Sequence, residues 1–314
     1  MNALMSCRRA GVLASLVILL AWSGALWGAT LLTPKELSAA IYARNPKLVA
    51  KYLNDGGDPN VCVPVRPPKN ADPAWSASAN WCMNLGRLLI TQQDRELALL
   101  ALRKGALRKP TQIQDALGVA IRAELPTVVE ALINLGAKVN RRAGAVDQPL
   151  MEAANEGDLE IVKELVRGGA DISATDPLGF TSIGTALDKG HEAVADYLVQ
   201  HGAALTMKTS NGYQLISVAV LGGSAKFVSA LAALGFNMNV EDINGQTPLM
   251  FALSRKIQSE KRGEIVALLL QHGADACHKD HAGYTALDYA EKEKETEVIK
   301  ILQNAERACG KQTP

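Results

Sequence analysis

Histidines and acids cluster in two stretches of the sequence, and both have the residue types of a catalytic or metal site. The stretch GHEAVADYLVQHGA contains His191 and His201 together with Glu192 and Asp196. An imidazole beside a carboxylate is a common pair for general acid–base catalysis. The stretch CHKDH, residues 277–281, combines thiol, imidazole and carboxylate groups of the kinds that bind zinc. Its spacing, however, matches no strong zinc pattern.

Motifs of the common enzyme classes are absent from the sequence. It contains no nucleophile elbow, phosphate-binding P-loop, HExxH zinc motif or dinucleotide-binding glycine fingerprint. The 33 Lys and Arg residues balance the 32 Asp and Glu residues, so the net charge of +1 gives no reason to expect a nucleic-acid partner. The sequence therefore predicts a protein that is not an enzyme, with no cofactor, no bound metal and no small-molecule substrate.

A helical pattern that ends in glycine recurs along the chain. Apolar pairs lie three and four residues, and again seven and eight residues, before each glycine, which makes one buried stripe on a helix. The glycine then supplies the left-handed conformation that ends the helix. Successive glycines are 33 residues apart from Gly136 to Gly235 and 38 residues apart from there to Gly273. The glycines of this pattern are Gly56, Gly105, Gly136, Gly169, Gly202, Gly235 and Gly273.

A turn and a first helix precede each glycine-ended helix. The turns read DPLGFTSIGTA (176–186), DINGQTPLMFA (242–252) and DHAGYTALDYA (280–290), and GDLEIVKELVRGGAD and GEIVALLLQHGAD supply second helices. These stretches resemble the ankyrin repeat. The resemblance covers roughly residues 33–309 and implies an all-α solenoid of about eight helix-turn-helix units with short β-hairpin or loop fingers. The units are approximately 33–60, 81–109, 110–140, 147–172, 173–205, 206–240, 241–278 and 279–309.

Some units depart from the ankyrin pattern. The second and third lack the finger glycine and the TPL signature. The seventh has about five extra residues, within SRKIQSEKRGE (254–264), which we expect to form a longer polar turn between its helices. The last unit has no terminal glycine, as suits a capping repeat. In the aligned pattern His191 is a turn residue, and His201 and His272 precede terminal glycines, so we assign these three histidines to structure and not to catalysis.

The first 29 residues have the pattern of a secretory signal peptide. Arg8 and Arg9 precede a long apolar run that ends in small residues, with cleavage expected after Ala25 or Ala29. An uncleaved membrane anchor is the alternative, since the apolar run approaches the length of a membrane span. We therefore expect a periplasmic or secreted protein, with residues 310–314 as a tail. A bacterial origin is inferred from this signal, because ankyrin repeats are otherwise familiar inside eukaryotic cells.

Four cysteines follow the export segment, and an even number in a secreted chain favours disulfides. Proximity along the chain suggests the pairs Cys62–Cys82 and Cys277–Cys309. The first would close a Pro/Trp-rich insertion at residues 61–80. The second would require the last unit to bend inward, because equivalent positions on adjacent repeats are usually too far apart for a bridge. Four free thiols are the alternative.

Aromatic residues follow the finger glycines, in a chain with only 4% aromatic residues overall. Three of the four residues at this position are aromatic, and large rings are common interface hot spots. The alternative is that they pack on the neighbouring finger and brace the stack. The predicted partner-binding residues are Phe180, Tyr213, Gln246 and Tyr284 of the fingers, together with Trp75 and Trp81 of the insertion.

The ankyrin resemblance implies a non-catalytic periplasmic scaffold that binds a partner protein through the concave face of its fingers and first helices. Fold alone does not identify that partner. An immunity protein that neutralises a toxin delivered to the periplasm is one alternative. A metal- or redox-linked protein that uses the C-terminal Cys/His turn is another. We expect membrane association only if the signal segment stays uncleaved.

Overall fold

The structure, a computed structural model, describes residues 31–65, 82–141, 148–253, 257 and 259–309. Sixteen helices and two short strands lie within these residues, so the predicted all-α class is confirmed. The chain divides into two compact units, residues 1–83 and residues 84–314. The predicted signal peptide, Trp75, Trp81 and the C-terminal tail fall outside the described residues. No helix in the described part of the chain is both long enough and apolar enough to cross a membrane.

The first compact unit contains one helix pair. Thr33 begins it with a capping box, in which its hydroxyl accepts the backbone N–H of Glu36 and its own N–H donates to the Glu36 carboxylate. Both helices start with proline, which suits the first helical position. Ser38 Oγ donates to the carbonyl of Pro64 at 2.6 Å, which ties the first helix to the following strand. The elements are α1 (Pro34–Tyr42), α2 (Pro46–Asn54) and β1 (Cys62–Pro64), and β1 pairs with β2 (Cys82–Asn84), which contains the unit boundary.

The second compact unit contains seven helix pairs. The first helices of successive pairs pack side by side, and each also packs on the second helix of its own pair. This is the arrangement that lets single repeats, which cannot bury an apolar face alone, share one core. The helices are α3 (Leu85–Thr91), α4 (Arg95–Arg103), α5 (Pro110–Arg122), α6 (Pro126–Asn134), α7 (Pro149–Glu156), α8 (Leu159–Arg167), α9 (Ser182–Asp188), α10 (Glu192–Gln200), α11 (Leu215–Leu221), α12 (Ala225–Ala233), α13 (Pro248–Phe251), α14 (Ser259–Gln271), α15 (Ala286–Glu293) and α16 (Thr296–Cys309).

The predicted apolar stripe forms the core, although it is narrower than the sequence suggests. In α10, Val194, Ala195 and Leu198 are buried, whereas Val199 is 37% exposed. Because such a helix packs on one side, the residue beside the buried stripe faces solvent. The same buried positions recur in the other second helices: Val128, Val129 and Leu132; Ile161, Val162 and Leu165; Phe227, Val228 and Leu231; Ile265, Val266 and Leu269.

The seven predicted glycines end their helices as expected, each with a φ between 80 and 92°. A Cβ at any of them would meet no atom within 4 Å, so conformation and not crowding requires glycine there. At Gly222, which ends α11, crowding and not backbone conformation requires glycine. Its φ is an ordinary −79°, but a Cβ would overlap the carbonyl oxygen of Leu187 in the preceding unit.

Seven residues, 252–258, separate the two helices of the seventh unit, against three in the fifth, so the expectation of a longer turn is correct there but wrong for residues 259–264. Helix α14 begins at Ser259, so residues 259–264 are helical and extend the second helix to 13 residues. Arg262 lies inside this extension with only 5% of its surface exposed. Its guanidinium donates to the carboxylate of Glu295 and, at 2.9 Å, to the carbonyl of Ile257. These partners explain how the guanidinium of Arg262 can be buried, whereas Lys261 and Glu264 beside it stay exposed.

Four glycine turns link the units of the C-terminal half, and we call them fingers: residues 176–180, 209–213, 242–246 and 280–284. An aspartate begins three of them and closes its own turn. Asp176 Oδ1, for example, accepts the N–H groups of Leu178 at 2.9 Å and Phe180 at 2.8 Å. In the second finger the hydroxyl of Thr209 takes this role and accepts the N–H of Tyr213 at 3.0 Å. A neutral acceptor therefore suffices to close the turn.

Backbone hydrogen bonds join each finger to the next. Ser210 N donates to Leu178 O at 2.8 Å, Ile243 N donates to Asn211 O at 3.0 Å, and His281 N donates to Asn244 O at 2.9 Å. In the second, third and fourth fingers, the backbone N–H of the second residue thus donates to the preceding finger. Pro177 holds that position in the first finger. The four tips form a single hydrogen-bonded row.

Candidate functional site

The four predicted finger residues occupy one row, because each follows the glycine of its finger. Phe180, Tyr213 and Gln246 are half-buried, whereas Tyr284 is 54% exposed. Tyr213 and Gln246 contact the first helix of the unit that follows them. Whether this row binds a partner stays a prediction, but its members also make contacts within the stack.

Tyr213 packs on the first helix of the next unit. Its ring meets Phe251 edge-on, with centroids 5.2 Å apart and planes at 81°. Burial raises the pKa of the Tyr213 hydroxyl, and the carboxylates of Asp242 and Asp188 raise it further. The ring therefore connects two units, and the nearby carboxylates give its hydroxyl a negatively charged environment.

Gln246 and Tyr284 both meet Tyr289, which lies on α15. Gln246 Nε2 donates to the Tyr289 hydroxyl at 2.7 Å, and that hydroxyl donates to Asp280 Oδ2 at 2.6 Å. The rings of Tyr284 and Tyr289 are 6.1 Å apart at 62°. Burial raises the pKa of Tyr289, as do its hydrogen bond to Asp280 and the nearby charge of Asp242.

Asp242 and Asp280 are buried carboxylates in adjacent fingers, each with 7% of its surface exposed. Burial alone would raise the pKa of Asp280, but hydrogen bonds from Tyr289 and from the backbone hold it below its ordinary value of 3.8. Asp242 accepts the backbone N–H groups of Asn244 and Gln246, both at 2.8 Å. Within the described residues, neither carboxylate is paired with a lysine or arginine.

Two further exposed apolar residues lie at the finger tips and were not singled out from the sequence. Leu178 is 54% exposed and Ile243 is 61% exposed. Both occupy variable positions of the D-x-x-G turn, where polar residues are usual. Leucine in DPLG and isoleucine in DING are the signal that would have identified them. With Tyr284 they give the fingers three large exposed apolar side chains on a backbone held by hydrogen bonds.

The histidines singled out from the sequence contact backbone carbonyls instead of forming a cluster with one another. His191 Nε2 lies 3.0 Å from the carbonyl of Asn155 in the preceding unit. His201 Nδ1 lies 2.8 Å from the carbonyl of Tyr197, and its ring stacks on that tyrosine. His278 Nε2 lies 2.9 Å from the carbonyl of Gly245. The described side chains include no group of three or more ligands placed to hold a metal ion.

Cys62 and Cys277 do not titrate, because each is held in a disulfide. The side chains of Cys82 and Cys309 lie outside the described residues, so the identity of each partner stays a prediction. Cys62 begins β1, and its predicted partner Cys82 begins the paired strand β2. Cys277 Sγ lies 3.8 Å from the carbonyl of Glu306, one turn before the end of α16. That helix has 14 residues, against nine in α12, and the added length reaches back towards Cys277.

A groove of about 500 Å³ lies between the second helices α4 and α6. Leu99, Leu102, Ala131 and Leu135 form its apolar walls, with Arg103 and Glu130 at its polar edge. It contains no histidine and no pair of carboxylates, so it lacks the groups for acid–base chemistry.

Among protein families, the model for ankyrin repeats (3 copies) matches this chain. It matches residues 150–242 and residues 216–312, which together cover about half of the chain.

Several individual proteins are also similar. YahD of Escherichia coli, named for ankyrin repeats, is 24% identical over 218 residues, which are 68% of this chain and 92% of YahD. An ankyrin repeat-containing protein of Treponema pallidum is 27% identical over 136 residues, 43% of this chain and 44% of that protein. The E3 ubiquitin-protein ligase KEG of Arabidopsis thaliana is 28% identical over 198 residues, 59% of this chain. This chain thus spans less than half of the Treponema protein and only 12% of KEG.

Proposed function

We propose, from the premise that this chain belongs to the ankyrin-repeat family, that it binds a partner protein through the fingers of its second compact unit. The observation that carries the proposal is the row of exposed Leu178, Ile243 and Tyr284 on hydrogen-bonded fingers. Large apolar side chains on a rigid backbone lose little conformational entropy on binding, which favours affinity. The protein acts as a scaffold and performs no chemistry of its own.

The contacts of the histidines support a role without catalysis. His191, His201 and His278 each bond to a backbone carbonyl, and general acid–base work would need them near a substrate cleft instead. Ankyrin repeats also occur beside enzymatic domains, as the name of the ligase KEG indicates for that protein. For this chain we propose that the repeats bind and that any chemistry belongs to the partner.

We also propose that the protein works outside the cytoplasm. Residues 1–29 have the signal-peptide pattern, and two cysteines are held in disulfides, which persist in oxidising compartments. Cys62–Cys82 and Cys277–Cys309 are the proposed pairs. In a bacterium this places the scaffold in the periplasm, where its partner would be a resident protein. Binding to a toxin delivered there, as in an immunity protein, is an outcome that the experiment below would reveal.

Crosslinking in periplasm followed by purification of the tagged protein tests the binding proposal. The informative variant replaces Leu178, Ile243 and Tyr284 by alanine, because all three are exposed and their loss leaves the core intact. Leu234→Ala is the matched control, since Leu234 is 64% exposed but lies at the end of a second helix. We expect the crosslinked partner to be lost only with the triple variant. Equal recovery with all proteins would refute binding by the fingers.

A further inference from the structure

The groove between α4 and α6 has apolar side chains at positions that are mostly polar in the other units. Leu99 lies six residues before the terminal glycine of its unit, where α6, α8 and α10 have charged residues. Leu135 lies one residue before its terminal glycine and is 45% exposed. Both line the groove of about 500 Å³, together with Leu102 and Ala131. An open apolar surface of this kind is typical of a contact between protein molecules.

Two exposed charged residues at the border of this groove have no ion pair within the described residues. They are Arg103, which ends α4, and Glu130, in the middle of α6. Charged residues at the same repeat positions in the other second helices are paired within the chain: Arg167 with Glu164 at 2.5 Å, Lys163 with Glu160 at 2.6 Å and Asp196 with Lys226 at 2.5 Å. Arg103 lacks such a partner because Leu100 occupies the position that Glu164 has in α8.

Arg103 and Glu130 border the same groove but do not pair with each other. They are four positions apart in the aligned repeats, which corresponds to about 6 Å along the helix direction. They also lie on different helices, and the axes of packed helices are about 8–10 Å apart. A cation therefore lies at one end of the groove, and an anion lies diagonally across it.

We propose that this groove is the contact surface between two copies of the protein, which are related by a two-fold axis. An axis that passes between Arg103 and Glu130 places Arg103 of one copy opposite Glu130 of the other, and the same pair forms a second time. The exposed Leu135 of each copy then packs into the apolar groove of the other. This inference does not depend on the proposed function, because the groove is lined by second helices and not by fingers.

The charges at the groove favour a second copy over a different protein. The occupant must bring one anion and one cation with the same separation as Arg103 and Glu130, and a second copy carries both. The net charge of the chain is +1, so two copies repel each other little. An occupant of a single sign would meet the like charge of one of the two residues.

The contact should be weak and reversible. Eight residues line the groove, against about 20–30 a side in an interface of standard size, and small interfaces are typical of transient contacts. We therefore expect a dimer that dissociates in the micromolar range. Two copies together present two rows of fingers, so a partner with two binding sites would be held more tightly than by one row.

Sedimentation velocity of the full mature protein tests the proposal. We expect the average sedimentation coefficient to rise between about 1 µM and about 200 µM protein, as a monomer–dimer equilibrium in the micromolar range requires. A two-fold contact closes on itself, so no species larger than a dimer should form. A protein that stays monomeric at all concentrations, or that grows beyond a dimer, overturns the proposal, and the first result leaves the groove to a different protein.

Charge reversal locates the contact. Arg103→Glu and Glu130→Arg should each weaken the dimer at least about tenfold, because like charges then meet twice. An equimolar mixture of these two variants should dimerise within about threefold of the wild type, because both contacts of the mixed dimer again join opposite charges. Arg167→Glu is the matched control, since Arg167 has the repeat position of Arg103 but lies outside the groove. If the mixture stays monomeric, or if the control dissociates the dimer equally, the proposal is wrong.

Two leucines test the apolar part of the contact. Leu135 and Leu234 both lie one residue before a terminal glycine and are 45% and 64% exposed, but only Leu135 lines the groove. Leu135→Ser should weaken the dimer at least about tenfold, and Leu234→Ser should leave it unchanged. Equal effects of the two variants contradict the proposal. The triple variant of the fingers should dimerise as the wild type does, so failure of the proposed function is distinguishable from failure of this inference.

Discussion

Asn140 and Asn239 lie 99 residues apart, three times 33, and their side-chain amides make the same two bonds to the following unit. Asn140 Nδ2 donates to Gly169 O at 2.8 Å and its Oδ1 accepts Asp171 N at 2.7 Å. Asn239 repeats both distances with Gly273 and Asp275. One amide thus satisfies a carbonyl at the glycine that ends a helix and the N–H two residues later.

Loss of this amide bridge should weaken the stack. Asn239→Ala removes two hydrogen bonds of a half-buried side chain, so we expect the free energy of unfolding in urea to fall by about 1–2 kcal/mol. Thr206, at the equivalent position one repeat earlier, makes no such pair of bonds, and Thr206→Ala is the matched control with an expected change within about 0.5 kcal/mol. Equal losses in the two variants would show that the amide bridge contributes nothing.

Two glycines should respond to alanine in opposite directions. A Cβ at Gly222 would overlap the carbonyl of Leu187, a backbone atom that cannot move aside, so Gly222→Ala should destabilise by at least about 2 kcal/mol. Gly263 lies within α14 with no atom near its Cβ position, so Gly263→Ala should stabilise by about 0.5–1 kcal/mol through helix propensity. Thermal melts of the two variants check both signs, and a stable Gly222→Ala protein would contradict the close approach.

Asp280 should make stability depend on pH below neutrality. Its pKa is lowered in the folded state, so its contribution is fully present above the unfolded value of about 3.8 and is lost as the pH falls through the lower folded pKa. The difference in unfolding free energy between the wild type and Asp280→Asn should therefore be largest near pH 7 and shrink below about pH 4. A difference that stays constant from pH 7 to pH 2.5 would mean that the folded-state pKa is not lowered.

Tyr213 should serve both the stack and the partner. Tyr213→Ala removes its edge contact with Phe251, and we expect a loss of about 1 kcal/mol in stability and of more than about 1 kcal/mol in partner affinity. Tyr213→Phe keeps the ring and is the control for the hydroxyl. Unchanged affinity together with a lowered melting temperature would assign Tyr213 to bracing alone.

Thiol counting on the exported protein checks the disulfides. We expect no reactive thiol before reduction and four after it, since Cys62 and Cys277 are both bonded and four cysteines follow the signal segment. Closure of a loop of about 32 residues by Cys277–Cys309 should stabilise by about 3–4 kcal/mol in the chain-entropy model. Peptide mapping identifies the pairs, and a Cys62–Cys277 bridge would contradict both proposals.

The repeated features of this fold were predictable because they depend on local sequence. Glycine at Gly136 or Gly202 is required by the backbone conformation of its own residue, so its 33-residue spacing reveals the helix ends. The extension of α14 was not predictable, since Arg262 is buried through Glu295 in a unit 33 residues further on. A polar stretch of sequence predicts a turn as long as the distant residue that pairs with it is unknown.

The row of residues after the finger glycines was predictable only in part, for a related reason. The aromatic position after the finger glycine is visible in the sequence, but its degree of burial depends on contacts made in the fold: Tyr213 packs on Phe251 of the next unit, whereas Tyr284 is 54% exposed. The hydrogen bond from Gln246 to the hydroxyl of Tyr289 likewise joins two neighbouring units. Such relations need the three-dimensional arrangement.

Pro177 has a consequence for solubility. It occupies the position from which the other fingers donate a backbone N–H, and proline has no such hydrogen. A backbone amide at this exposed position could pair with the edge of another molecule, as open strand edges do in aggregates. Pro177 has no hydrogen to donate, so it offers a second copy of the protein no backbone donor from which such pairing could begin.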